Sequence, residues 1–251
     1  MKYIERYAVR SYETDSSNVM RPSTVLQYMQ ETAERQMRHD DIDYTDLYIK
    51  KRKAFIVSRM NIELLRPIMQ NEDLDVSTWY VQGRAANFPR NYEFVSGGDI
   101  VMKATSNWAM VDVDTKKLVL NKDYDMSDCA TDEELHMSVP KRFTVPRDIS
   151  FRNVYKRLVT YSMTDINGHV NNTIYPDMLW DAVPCAGDYN ITSMNIRFVH
   201  EARIGDVADV VVSEACSPEK MDCRAEKIYY VYSEVSGRRN AEAAFGVIRR
   251  K

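Results

Sequence analysis

The chain has 251 residues and a net charge of −3, with 44% hydrophobic and 28% charged residues. That is the balance of a globular protein with a real core, in one large domain or two small ones. The near-neutral charge excludes a global field drawing the molecule to nucleic acid or anionic lipid, and no run of about 18 apolar residues offers a membrane span.

The opening MKYIERYAVRSYETD is charged throughout and has no apolar signal-peptide core. Four cysteines, Cys129, Cys185, Cys216 and Cys223, form no C-x-x-C pair, which argues against a disulfide scaffold or zinc ribbon and for a reducing cytoplasm. The basic runs KKRK at 50–53 and IRRK at the C-terminus read as solvated surface charge.

In chain order, a strand at 3–12 leads through a polar turn to a helix at 23–37, where Val25, Met29, Ala33 and Met37 recur at four-residue spacing. Strands are predicted at 54–66, 72–82, 89–97 and 100–113, with SGGD at 96–99 as a hairpin turn. Residues 121–150 are acid-rich and aperiodic and read as a linker. A strand at 154–161, a second polar turn and a helix at 172–183, stopped by Pro184, follow. Strands at 190–201, 206–216, 223–235 and 239–249 complete the chain, with SGRR at 236–239 as a turn.

The two halves echo one another. YETDSSNVMRPSTVLQYM (12–29) resembles YSMTDINGHVNNTIYPDML (161–179), with Asp15 matching Asp165. RMNIELLRPIMQNEDLDV (59–76) aligns with SMNIRFVHEARIGDVADV (193–210), and KATSNWAMV pairs more weakly with NAEAAFGVI. Three echoes in the same order imply a duplicated unit, residues 1–120 and 151–251, each a helix followed by antiparallel strands. The class is α+β: long helices wrapped by curved sheets that pair edge to edge and so hide their open edges.

Duplication supplies an internal control. The second turn holds Asp165, Asn167 and His169 where the first has Asp15, Ser17 and Val19, and the MNI strand ends in Glu201 where the first copy has Pro67. Asp165 and Asn167 alone would serve equally well as turn and cap residues. Joined by an imidazole able to move protons near neutrality and by a second carboxylate, they point to one active site. The first helical turn beyond offers free N–H groups to a developing oxyanion. No metal pattern is present: VHEAR has Arg203 where a zinc-protease helix needs a second histidine. There is no serine elbow and no glycine-rich phosphate loop, so neither metal nor cofactor is expected.

These residues resemble the acyl-acyl-carrier-protein thioesterases of bacterial and plant fatty-acid metabolism. The family's Asp-x-Asn-x-His-Val-Asn-Asn followed by an aromatic is similar to DINGHVNNTIY, and its Arg-Ala-Thr-Ser-x-Trp stretch to KATSNW, with RPIMQNEDLDVSTWYV also family-like. The resemblance covers essentially the whole chain. It implies two fused hotdog folds and hydrolysis of fatty acyl-carrier-protein thioesters in fatty-acid biosynthesis, with the family's catalytic groups on Asp165, Asn167, His169 and Glu201. Plant members carry a cysteine after the glutamate; here Ala202 stands there, which removes a cysteine route.

Two chemical routes stay open: Glu201 with Asn167 activating a water, or Asp165 attacking to give a mixed anhydride, with His169 polarising the carbonyl or protonating the thiolate. Candidate acyl-pocket residues are Met29, Met37, Phe55, Met60, Trp79 and Trp108. Candidate docking cations for the acidic carrier protein are Arg90, Lys141, Arg142, Lys156 and Arg157. A bacterial cytoplasmic monomer or homodimer is expected. The alternatives are a hotdog acyl-coenzyme A thioesterase and a non-catalytic acyl-binding protein. Hotdog hydratases use an Asp-x-Asn-x-x-His order one residue longer than this one.

Overall fold

A computed structural model describes residues 2–42, 44–124, 130–131, 135–218, 222 and 224–250. The first half runs β1 (Tyr3–Ala8), α1 (Pro22–His39), α2 (Tyr44–Ile49), β2 (Lys53–Leu64), β3 (Asp73–Val81), β4 (Asn87–Ser96) and β5 (Asp99–Asp112). Two short strands, β6 (Leu118–Val119) and β7 (Ala130–Thr131), lead to the second half. That half comprises β8 (Phe151–Leu158), α3 (Tyr175–Trp180), β9 (Tyr189–Phe198), β10 (Val207–Ser213), β11 (Lys227–Val235) and β12 (Arg238–Arg249).

The long strands form one continuous sheet in the order β1-β3-β4-β5-β2-β9-β12-β11-β10-β8. The halves join where β2 pairs antiparallel with β9, and Asn61 lies opposite Asn195 with Met60 facing Ile196 and Ile62 facing Met194. The repeated Met-Asn-Ile strings thus meet each other across a pseudo-two-fold axis. Each half seals the other's open edge, as edge-to-edge pairing requires.

Helix α1 lies on the inner face of the first half. Its four-residue stripe buries Val25, Met29 and Ala33 in a core shared with Ile62, Leu74, Val76, Tyr92 and Phe94. Arg21 at the start of α1 makes no side-chain cap. The cap comes from the other half: Asp177 on α3 accepts from the Ser23 backbone N–H at 2.8 Å and from its hydroxyl at 2.5 Å. A carboxylate there meets unpaired N–H groups and the positive end of the helix dipole.

The second helix departs from expectation. Instead of spanning 172–183, α3 covers only Tyr175–Trp180. Asn171 Oδ1 accepts from the Thr173 N–H and hydroxyl, which spends the preceding residues on a turn. Beyond Trp180 the chain breaks at Pro184 and turns through Cys185 with φ +54°, reaching β9 after one 3-10 turn at Ala186–Asp188. The first half fills the same connection with two more turns of α1 and with α2. The first leading strand is also shorter than expected, since Ser11–Glu13 winds into a 3-10 turn. The second keeps its length but lies three residues earlier, at Phe151–Leu158, with Tyr161–Met163 wound likewise.

The later part of the linker is a strap across the outer face. Ser138 bonds Glu63 through its N–H and hydroxyl, Asn195 Nδ2 donates to the Pro140 carbonyl at 3.2 Å, and Arg59 Nη1 to that of Lys141 at 3.3 Å. Phe143, Val145, Ile149 and Phe151 then cover Ala225, Ile228, Tyr230 and Ala244. Most of the linker's acidic centre, with Cys129, lies outside the described residues, as does Cys223. Among the described residues, no helix is long and apolar enough to cross a membrane.

Candidate active site

The Asp-x-Asn-x-His turn closes on itself. Asp165 N–H donates to the His169 carbonyl at 2.9 Å, Gly168 N–H to the Asp165 carbonyl at 3.0 Å, and Asp165 Oδ1 accepts the Asn167 N–H at 2.8 Å. Gly168 has φ +73°, a left-handed conformation that a residue without Cβ adopts freely. Val170 N–H then donates to the Ala202 carbonyl at 2.9 Å, and His169 bridges to Arg203. The turn is thereby laid against the chain just beyond β9, opposite Glu201.

That contact makes the central pair: His169 Nε2 lies 3.0 Å from Glu201 Oε2. The two groups are close enough for a proton to pass between the imidazole and the carboxylate. The Glu201 side chain is 59% exposed, so solvent screens the attraction and its free oxygen stays accessible to a water. Arg203 Nη2 stands 3.9 Å from the same Oε2. Asn240, on β12, donates from Nδ2 to the Glu201 carbonyl at 3.2 Å and to that of His200 at 3.4 Å, which anchors this strand end. Asp165 Oδ2 has a long contact of 3.4 Å with Asn167 Nδ2.

All four catalytic candidates line one cleft of about 1040 Å³. It begins at the turn, passes Tyr175, Phe198 and Asn240, and continues into the first half along Ala33, Met37, Phe55, Val57, Phe88 and Trp108. Tyr175 is nearly fully buried; burial first, then the negative charges of Asp206 and Glu201, push its phenol upward. It stays a protonated hydrogen-bond donor through the physiological range.

The other candidates divide. Met37, Phe55 and Trp108 lie on the cleft. Met29 and Met60 do not: both are sealed in the main core by α1 and β2. Trp79 is also fully buried and off the cleft, with the Lys2 ammonium 4.2 Å over its ring. Arg90 cannot dock a partner, because it is 4% exposed inside the first half. Lys141 and Arg142 are exposed on the outer strap, whereas Lys156 and Arg157 are exposed on β8 at the far edge of the sheet. Three strands separate β8 from β9, so these cations do not form a single patch. Lys156 is further engaged by Asp209 at 3.1 Å.

Tyr175, Arg203 and Asn240 were missed by sequence reasoning. Asn240 had a signal, since it opens the third echo, where the first copy has Lys103. Tyr175 had none, because its place in an apolar helical pattern reads as packing.

Sequence models of the acyl-ACP thioesterase N-terminal and C-terminal domains match residues 1–127 and 148–245 respectively. The chain belongs to the acyl-ACP thioesterase family. It is 23% identical over 230 residues to an oleoyl-acyl carrier protein thioesterase of Arabidopsis thaliana, covering 82% of this chain and 61% of that protein. It is 26% identical over 196 residues to a palmitoyl-acyl carrier protein thioesterase of Gossypium hirsutum, covering 72% of this chain and 47% of that one. The chain thus spans less than two thirds of the length of these curated relatives. Among solved structures it superposes on an acyl-ACP thioesterase from Bacteroides thetaiotaomicron with a TM-score of 0.84 at 21% identity, covering 98% of each chain. The 12:0-ACP thioesterase of Umbellularia californica gives 0.81 at 16% identity, with 99% and 98% covered. At such identities the likeness establishes the fold, the tandem hotdog of this family.

Proposed function

We propose that this protein hydrolyses the thioester between a fatty acyl chain and acyl carrier protein, releasing free fatty acid. The reading rests on the His169–Glu201 pair, 3.0 Å apart, standing where the turn opens into an apolar cleft. Family membership and the names of the relatives support the carrier substrate.

The water route fits this geometry best. The free oxygen of Glu201 takes a proton as water adds to the carbonyl carbon, and the Asn167 amide donates to the carbonyl oxygen as it becomes an oxyanion. Collapse breaks the C–S bond, and the proton passes through the Glu201–His169 pair to the departing sulfur. The products are a carboxylic acid and a free thiol, and the residues return to their starting state. Asp165 acts as the positioning group, because its Oδ1 is occupied by the turn. At the cleft, Arg203 and Lys116 are the exposed cations we assign to meeting the acidic carrier, together with Lys156 and Arg157 on β8. We place the protein in a bacterial cytoplasm, a reading supported by the free thiols of Cys185 and Cys216.

The test measures free fatty acid released from matched acyl-carrier-protein and acyl-coenzyme A substrates. Turnover of the carrier substrate at least tenfold faster, falling as salt rises, is expected. A faster coenzyme A reaction transfers the reading to that substrate, and acyl binding without release defeats hydrolysis altogether. Asp165→Ala, His169→Ala and Glu201→Ala should each lower kcat by about 10²-fold or more. Near-normal turnover in any two of the three would sink the assignment.

A further inference from the structure

Strand β4 turns alternate side chains toward α1, and the second of these inward positions from its start is a cation. Arg90 lies between two apolar regions. On one side Phe88 packs with Phe55 and Met110 beside the cleft; on the other, Tyr92 and Phe94 belong to the sealed main core. Around the guanidinium runs a polar belt. Nη1 donates to Gln36 Oε1 at 2.5 Å and to Thr78 Oγ1 at 3.1 Å, and the group sits 3.9 Å over the Tyr80 ring. Ser106, beside it on β5, holds Trp108 Nε1 at 2.7 Å.

Gln36, Thr78 and Ser106 are all buried. Among the described residues, no carboxylate pairs with Arg90, and its Nε and Nη2 groups make no hydrogen bond there. Arg90 is nonetheless part of the cleft wall. A guanidinium offers five donors in a planar fork, and leaving a buried cation uncompensated is costly. A hydrocarbon end pressed against it would strip water from the free N–H groups and return nothing.

We propose that the cleft selects acyl chains bearing an acceptor oxygen, as hydroxyl, keto or carboxylate, on the part of the chain distal to the thioester. Arg90 is the specificity-determining group, and its open N–H groups receive that oxygen. The proposal deepens the thioester-hydrolase reading and rests on it for the substrate's head, but the recognition itself is a binding property.

The test uses straight-chain thioesters in pairs matched for length over a range of lengths, ending in methyl, hydroxymethyl or carboxylate. In the wild type, the best oxygen-bearing chain should exceed its methyl partner in kcat/KM by about tenfold or more, as sites built to hydrogen-bond a substrate group do. Arg90→Met should collapse or invert that ratio, and Arg90→Lys should keep part of the carboxylate preference. Because the ratio is taken within each variant, a loss of folded protein cancels. Calorimetric binding of the corresponding free acids to the wild type and both variants runs alongside. If no thioester is turned over, the hydrolase reading fails while the binding arm still decides Arg90. Equal or better use of the methyl chains by the wild type, or an unchanged ratio in Arg90→Met, overturns the proposal.

Discussion

The two polar turns have the same backbone and different chemistry. In the first, Asp15 N–H meets the Val19 carbonyl at 2.8 Å, Asn18 N–H the Asp15 carbonyl at 3.0 Å, and Met20 N–H the Ile68 carbonyl at 2.8 Å. In the second, Asp165, Gly168 and Val170 make the corresponding bonds at 2.9, 3.0 and 2.9 Å. Even the left-handed residue recurs, Asn18 at φ +61° and Gly168 at +73°. Asp15 and Asp165 each accept the N–H two residues on. An aspartate in this turn is therefore a requirement of the fold, and its presence alone says nothing about catalysis.

The difference lies in two facing positions and one carboxylate oxygen. Val19 bridges to Met69 in the first copy, beside Pro67; His169 bridges to Arg203 in the second, beside Glu201. Asp15 Oδ2 is consumed by Arg250 at 2.6 Å, whereas Asp165 Oδ2 has only the long contact to Asn167. The cleft is lined by the second turn, and no residue of the first turn belongs to it. The candidate site lies where the frame, the two side chains and the cavity coincide.

Four changes test that comparison. Converting the second turn to the first, with His169→Val and Glu201→Pro together, should lower kcat for acyl release by about 10³-fold while leaving the thermal midpoint close to wild type. A steady-state assay beside a melt checks both halves of that statement.

The Ser23–Asp177 cap, which ties the halves together, comes next. Asp177→Ala should cost about 1 kcal/mol in urea unfolding, the usual worth of a helix cap, with little effect on kcat.

The third concerns Asp15. Burial works to raise its carboxyl, but Arg250 and the N–H groups of Val19 and Ser17 outweigh it and hold it below the usual carboxylate range. A depressed folded value stabilises above the unfolded value of about 3.9 and is lost as pH falls below it. The stability gap between wild type and Asp15→Asn should therefore be full near neutrality and shrink through the acid range, as acid titrations of both would show.

The smallest effect is expected from the reverse graft, Val19→His with Pro67→Glu. On a His169→Ala background it should restore no more than a few per cent of turnover, because that turn faces no cleft. Substantial rescue would mean that the side-chain pair suffices without the cavity.

The sequence carried the duplication because repeated strands repeat their pattern: the Met-Asn-Ile strings aligned in sequence are the strands that pair in space. It also singled out Asp165, Asn167, His169 and Glu201 as the positions that differ between the copies or stand beside them, and the structure brings the four to one cleft. Helix α3 was overestimated because apolar spacing continues past Trp180, while the shorter connection to β9 and the break at Pro184 and Cys185 leave no room for it. The linker's order was invisible, because irregular backbone pinned by Glu63, Asn195 and Arg59 has no periodicity to read.

What the sequence alone determined was which residue types recur and which do not, hence the tandem fold and the four residues of the candidate site. Only the tertiary structure decided which side chains face a cavity. Met29, Met60 and Trp79 are as apolar as Met37, Phe55 and Trp108, and Arg90 is as basic as Lys141. Strand register, the direction of α1 and the joining of the two sheets sorted them into core, cleft and surface. Those are sums of contacts between distant segments, and no local pattern contains them.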